Sequence, residues 1–413
     1  MFSRGELQIN NITFGEQTSI NNKRLTIEKR ALQEFLLAKE NRITKVNISL
    51  AKPGDSTRIL CVKDVIQPWH KVSGAEAGRG TRLVLDNVAV VTCGKIVGFQ
   101  EGIIDMQGPG VLYSPFSQTM NVVLEIDVID GLTPYQHEEC VRNTGLRAAA
   151  FLGKSAREIR PDRMEEFSRP EDQSTNTSLT RIAYIYPLLT QGLLHDSYLL
   201  GKNAKTQLPR KIAPQLLLDG ALCSGNCVSA CDKNTTWHHQ NNPILFELLD
   251  RHDRDLSFVG VVLASEPVRL SDKEKSARKV LKLLEEMDVD GAILSKEGFG
   301  NPDADQMMLI RGCERQGIKT VALTDEFAGA DGWSQSTADS CKEADAVISV
   351  GNANEKILLP PMETLLGPIK DLSQLTGAYP QSLQEDGSLE IELQGIIGAT
   401  NELGNQKLSC REV

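Results

Sequence analysis

From Leu256 onward the chain alternates short β-branched runs with helical stretches, and few folds accept that rhythm. Residues 258–264 read Phe-Val-Gly-Val-Val-Leu-Ala, a run apolar at almost every position, as a strand covered on both faces must be. Residues 271–287 carry a helical period, 291–295 form a second apolar run, and 304–316 a second helical stretch closed by Gly317. Third and fourth strand-like runs follow at 318–323 and 346–351. Strands separated by helices imply a parallel sheet with right-handed crossovers, so residues 244–413 are expected to form a parallel-sheet α/β domain.

The first half follows a different pattern. Gly5 to Ile12 alternates polar and apolar side chains, and residues 43–50, 58–65, 82–91, 95–99 and 120–128 read as further strands. Helical segments are expected at 25–39 and 134–152. The fold class is therefore α/β overall, with a β-rich α+β domain over 1–153 ahead of the parallel sheet. Between them, 154–219 reads as a polar linker, an apolar helical segment at about 180–200, and a basic stretch bounded by prolines at 205–214. Residues 220–243 form a separate segment rich in small and amide side chains.

Composition excludes several function classes. The 413 residues carry 45 Lys and Arg against 55 Asp and Glu, a net charge of −10, without a basic tract. Nucleic acids and anionic membranes need clustered cations, so neither is an expected partner. The chain starts Met1-Phe2-Ser3-Arg4-Gly5-Glu6, without the apolar region of a signal peptide, and no apolar stretch is long enough to span a membrane. Nine cysteines, an odd number, suit free thiols in a reducing compartment, which makes a cytoplasmic location the expectation.

Three of those cysteines, Cys223, Cys227 and Cys231, cluster with His238 and His239 in the segment from Gly220 to Pro243. Three chemistries compete for it. A metal or iron–sulfur site is one, because thiolates and imidazoles suit zinc and iron, although the spacing matches neither a zinc knuckle nor a ferredoxin run. Simple packing is another, since residues at i, i+4 and i+8 share a helix face, but Gly225-Asn226 opposes a helix. The third is self-processing at Asn226–Cys227. The thiol attacks the preceding carbonyl, the acyl group moves from nitrogen to sulfur, and β-elimination leaves a dehydroalanine that hydrolyses to an N-terminal pyruvoyl group. A flexible Gly-Asn turn can strain the scissile amide, and His238 or His239 could raise thiolate character or take the α-proton.

The run Gly225-Asn226-Cys227-Val228-Ser229-Ala230-Cys231-Asp232-Lys233-Asn234-Thr235-Thr236, continued by His238-His239-Gln240-Asn241-Asn242-Pro243, resembles the processing-site signature of glycine reductase component B proproteins. Sarcosine and D-proline reductase proproteins are similar around their sites. The resemblance implies cleavage between 226 and 227, with Asn226 supplying the carbonyl and Cys227 the pyruvoyl. It implies that this ketone binds the substrate amine as a Schiff base for reductive deamination, as no encoded side chain can. Lys233 is then the nearest cation for a substrate carboxylate, with Asn234 and Thr235 beside it as polar contacts and Cys231 as a further candidate. Glycine is the favoured substrate and sarcosine the next, because betaine has no N–H with which to form an imine.

The same resemblance implies a hetero-oligomeric complex. Its other parts would be a selenocysteine-containing component B subunit, a small selenoprotein that accepts the carboxymethyl group, a component releasing acetyl phosphate, and thioredoxin-type reductant. Neither a metal nor a nucleotide is expected; the alternative is a metal- or cluster-binding protein using Cys223, Cys227 and Cys231. Three further features read as structural. Gly298 to Asp303 is expected to be a tight turn capped by Asp303, Asp325-Glu326 to be acidic charge at a helix start, and Ser73 to Gly80 to be a flexible loop matching no phosphate-binding pattern.

Overall fold

Arg181–Leu189 is the strand around which the second half is built. The computed structural model describes residues 1–95, 101–168, 178–192, 194, 196–225, 231–368 and 372–403. Its parallel sheet runs Arg210–Ile212, Ser257–Glu266, Arg181–Leu189, Gly291–Leu294, Lys319–Glu326, Val347–Asn352. All neighbours are parallel except the antiparallel edge strand Arg210–Ile212. The four strands expected after Leu256 are present, with the helices Leu270–Glu286 and Asn301–Arg315 between them.

Residues 180–200 are not helical. They supply Arg181–Leu189 and the short strand Ser197–Leu199. Ile-Ala-Tyr-Ile-Tyr-Pro-Leu-Leu is apolar on every side, so its period cannot separate buried helix from buried strand. Its β-branched and aromatic side chains favour the strand. Pro187, which has no N–H, lies beyond the pairs Ile182–Gly291 to Ile185–Leu294, so no ladder partner on that side is deprived. The chain then moves outward to Ser257–Glu266 and back across to Gly291–Leu294. That reversal makes a topological switch point beside the carboxyl ends of the two strands, where open α/β sheets hold their ligands.

The first half contains a sheet in the order Gly102–Asp105, Thr57–Ile66, Val88–Gly94, Met120–Val128, Ile43–Ala51. Helix Pro134–Gly153 covers it, with Cys140, Val141, Ala148 and Leu152 in one core with Val88, Val90, Val122 and Leu124. A capping box at Thr133 and Gln136 starts that helix. The single strand expected at 82–91 is two strands, Gly80–Asp86 and Val88–Gly94, in different sheets. Asn87 turns the chain between them at φ 64°, a left-handed conformation that a short amide side chain tolerates. The first helix starts at Lys29, because Arg24–Ile27 pairs with Asn11–Phe14 and Ser19–Asn21. Lys95 lies outside a strand, and 96–100 fall outside the described residues, as do 169–177 of the polar stretch.

The two halves share structure. Thr364–Leu366, late in the chain, adds to Thr57–Ile66 in parallel. Leu60, Cys61 and Ile103 form one core with Cys231, Leu372, Leu389 and Ile396. Among the described residues no helix is long and apolar enough to cross a membrane.

Candidate active site

Thr235 begins the local structure of the motif. Its hydroxyl accepts the His238 N–H at 3.3 Å and caps the helix Thr236–Gln240; Asn242 then caps Pro243–Arg251 by accepting the Leu245 N–H at 3.1 Å. Two caps and Pro243 thus fold the amide-rich run into two short helices. Trp237 packs edge-on against Phe116, with ring centroids 5.3 Å apart, and fixes the first helix against the N-terminal half.

The helix buries His238 and His239 side by side. The backbone N–H of Thr235 points at His238 Nδ1 from 3.1 Å, so that nitrogen is an acceptor and the neutral ring carries its proton on Nε2. Burial pushes the His238 pKa down to about 3, and His239 is held well below its ordinary value by burial and then by Lys233. Both rings are therefore neutral at pH 7. His239 Nδ1 meets the Tyr186 hydroxyl at 2.6 Å, and its Nε2 lies 3.7 Å from Glu297 Oε1.

Lys233 is fully buried, as is its partner Glu297. The ammonium donates to Glu297 Oε1 at 3.0 Å and to Ser197 Oγ at 2.9 Å. Glu297 follows the strand Gly291–Leu294, and its other oxygen accepts the Leu189 N–H at 2.8 Å. The Lys233–Glu297 pair thus stands at the switch point, between the carboxyl ends of Arg181–Leu189 and Gly291–Leu294. Asn234 is held through its Oδ1, which accepts from Asn401 Nδ2 at 2.8 Å.

The segment is also tied to the N-terminal sheet. Asp64 accepts the Thr236 N–H at 2.8 Å and its hydroxyl at 2.6 Å. That hydroxyl accepts the Ser224 N–H at 2.9 Å, so one threonine links the strand Leu222–Ser224 to the helix. Burial raises the Asp64 carboxyl to about 7, against the lowering effect of those hydrogen bonds. A cavity of 440 Å³, lined in part by Trp69, Arg142, Cys223, Thr236 and Gln240, opens beside this junction.

Asn226 and Cys227 lie outside the described residues, between Gly225 and Cys231. The structure therefore brings Lys233, His239, Glu297 and Ser197 together, holds Asn234 and Thr235 in supporting contacts, and turns His238 toward the Phe116 side, ring centroids 5.2 Å apart. Cys223 is buried in a neighbouring strand with its thiol pushed up to about 12 by burial. It does not join the ligand-competent grouping around Cys231, which instead includes Asp232 and Asp325.

Two structural expectations for the second half are corrected. Asp303 caps nothing: it is buried in the first turn of Asn301–Arg315, bonds to Lys296, and accepts the Ala338 N–H at 2.7 Å. Asp325 ends a strand instead of starting a helix, with its Oδ1 2.9 Å from Lys296 Nζ. Glu297, Ser197, Tyr186 and Asp64 escaped the sequence reading. Only Glu297 had a signal there, its place just beyond a strand of a parallel sheet.

A family model described as glycine/sarcosine/betaine reductase component B subunits matches residues 1–411. The chain is 44% identical to the glycine reductase complex component B subunits alpha and beta of Acetoanaerobium sticklandii, over 98% of this chain and 98% of that protein. The protein of the same description from Peptoclostridium acidaminophilum is also 44% identical, with the same coverage. The sarcosine reductase complex component B subunit alpha of that organism is 42% identical, again over 98% of each. No solved structure matches the chain.

Proposed function

The chain belongs to the glycine/sarcosine/betaine reductase component B family, and on that premise we propose that it is the proprotein of the substrate-binding component, cut between Asn226 and Cys227. The observation that carries the proposal is a coincidence of length. Relatives described as two subunits, alpha and beta, are matched by this single chain over 98% of their length. A single chain that carries two subunits suits division into two, and the Asn226–Cys227 bond stands within the motif that resembles such a site.

In the proposed step the Cys227 thiolate adds to the Asn226 carbonyl, and the Cys227 nitrogen leaves as an amine. Loss of the α-proton then breaks the Cβ–S bond, freeing residues 1–226 as a thiocarboxylate. Water replaces the nitrogen of the remaining enamine and releases ammonia, which leaves a ketone at position 227. When present, a pyruvoyl ketone supplies the electrophile that captures a primary or secondary amine as a Schiff base. The described residues fit such a group: neutral buried imidazoles and a buried ammonium. His239 is neutral and linked to Tyr186, which suits it to accept the α-proton during cleavage. Among the described residues the Lys233 ammonium donates to Glu297 and Ser197, and its third N–H is proposed to meet the substrate carboxylate.

Glycine is the proposed substrate, with sarcosine next. The relatives are described as components of reductase complexes, so the chain is proposed to work in a hetero-oligomer with a selenocysteine-containing component B subunit. A small selenoprotein and an acetyl-phosphate-releasing component would act downstream. A reducing, cytoplasmic setting suits the free thiols of the described cysteines.

Intact mass spectrometry under denaturing conditions tests the cleavage. The wild-type chain is expected as two fragments, the second beginning at position 227 and reacting with a carbonyl label. Cys227→Ala should give one unbroken chain. An unlabelled, full-length and active wild-type protein would refute the proposal.

A further inference from the structure

Next to Lys233 lies a second buried cluster that the proposed cleavage leaves unused. Cys231 and Asp232 precede Lys233, and Asp325 comes from the carboxyl end of Lys319–Glu326. The Cys231 Sγ and one carboxylate oxygen from each of Asp232 and Asp325 all lie within 4.8 Å of one another. The three residues are 1%, 1% and 0% exposed. Among the described residues, neither Asp232 oxygen has a hydrogen-bond partner.

The surrounding charges do not balance. Lys296 Nζ bonds to Asp303, lies 2.9 Å from Asp325 Oδ1, and lies 3.8 Å from Glu402 Oε1. One ammonium thus serves the buried carboxylates of Asp303, Asp325, Glu402 and Asp232. A buried anion without a partner costs several kcal/mol. Protonating Asp232 removes the charge but leaves a buried hydroxyl with no acceptor, so neither form is satisfied by the protein alone.

We propose that Cys231, Asp232 and Asp325 bind one divalent transition-metal ion of the zinc type. A thiolate with two carboxylates is a borderline donor set that suits Zn²⁺ and disfavours Mg²⁺ and Ca²⁺. Tetrahedral zinc at ordinary bond lengths separates its ligand atoms by roughly 3.5 Å. The three ligands carry one negative charge more than the ion, so the ion offsets part of the negative charge that the single Lys296 ammonium leaves unpaired. A fourth position stays open, and Glu402 Oε2, which has no partner among the described residues, faces the same charges. The site uses neither Cys223 nor Cys227 and does not depend on cleavage.

The test uses the full-length Cys227→Ala chain, which removes a competing thiol and keeps the outcome independent of processing. After chelator treatment the protein is loaded with Zn²⁺ or Co²⁺, desalted, and assayed for bound metal. One ion per chain is expected, and the cobalt form should show thiolate-to-metal charge-transfer absorption. Cys231→Ser should abolish that absorption, and Asp232→Asn should weaken binding roughly tenfold or more. Asp232→Asn should also raise the melting temperature of the metal-free protein, because it removes the unpartnered anion, and this readout stands if Cys231→Ser fails to fold. No retained metal, or retained metal with absorption unchanged by either substitution, would overturn the site.

Discussion

At the scale of single residues, Lys233 and Glu297 define each other. Both are fully buried, and either alone would leave a charge without a counterion. Glu297→Gln is therefore expected to cost about 3–5 kcal/mol in denaturant unfolding. Pairing it with Lys233→Met should recover much of that loss; a double variant as unstable as the single one would show that other contacts matter more. Asp64 makes a prediction in pH. Burial raises its folded pKa to about 7, above the ordinary aspartate value of 3.8. The folded chain then keeps a proton that the unfolded chain has released, so stability falls as pH rises from about 4 toward 7. Asp64→Asn should flatten the melting-temperature profile across that window, and a profile unchanged by the substitution would contradict the assignment. Lys233 was legible from the sequence because it sits in the motif. Glu297 had only its place after a strand as a signal, and Asp325 reads in the sequence as charge at a helix start, since only the folded sheet brings those strand ends against residues 231–233.

At the scale of elements, the helix Thr236–Gln240 depends on its cap. Thr235→Ala should cost about 1 kcal/mol and slow cleavage by releasing the histidine helix, while Thr235→Ser should restore both. Equal cleavage rates in Ala and Ser variants would separate the cap from the chemistry. Elements with one dominant signal were legible: the four strands of the parallel sheet after Leu256, the helix over Pro134–Gly153, and Met120–Val128. Those that depend on tertiary context were not. Residues 181–189 carry no period to tell strand from helix, and a single asparagine, Asn87, splits what the sequence offers as one strand.

At the scale of the whole molecule, the proposed cleavage cuts a sheet whose strands alternate in origin. Arg181–Leu189 would belong to the first fragment, while its neighbours Ser257–Glu266 and Gly291–Leu294 would belong to the second. Thr364–Leu366 would cross back to Thr57–Ile66 in the same way. The two fragments should therefore co-elute as one particle in size-exclusion chromatography and part only in denaturant; separation in native buffer would contradict this interleaving. The central claim, that position 227 becomes the electrophile that holds the substrate, is tested most directly by trapping. Processed protein incubated with isotopically labelled glycine and borohydride should carry one reduced adduct, mapped to the first residue of the shorter chain. Label that fails to attach there, in protein that still turns over glycine with its partners, would contradict the account.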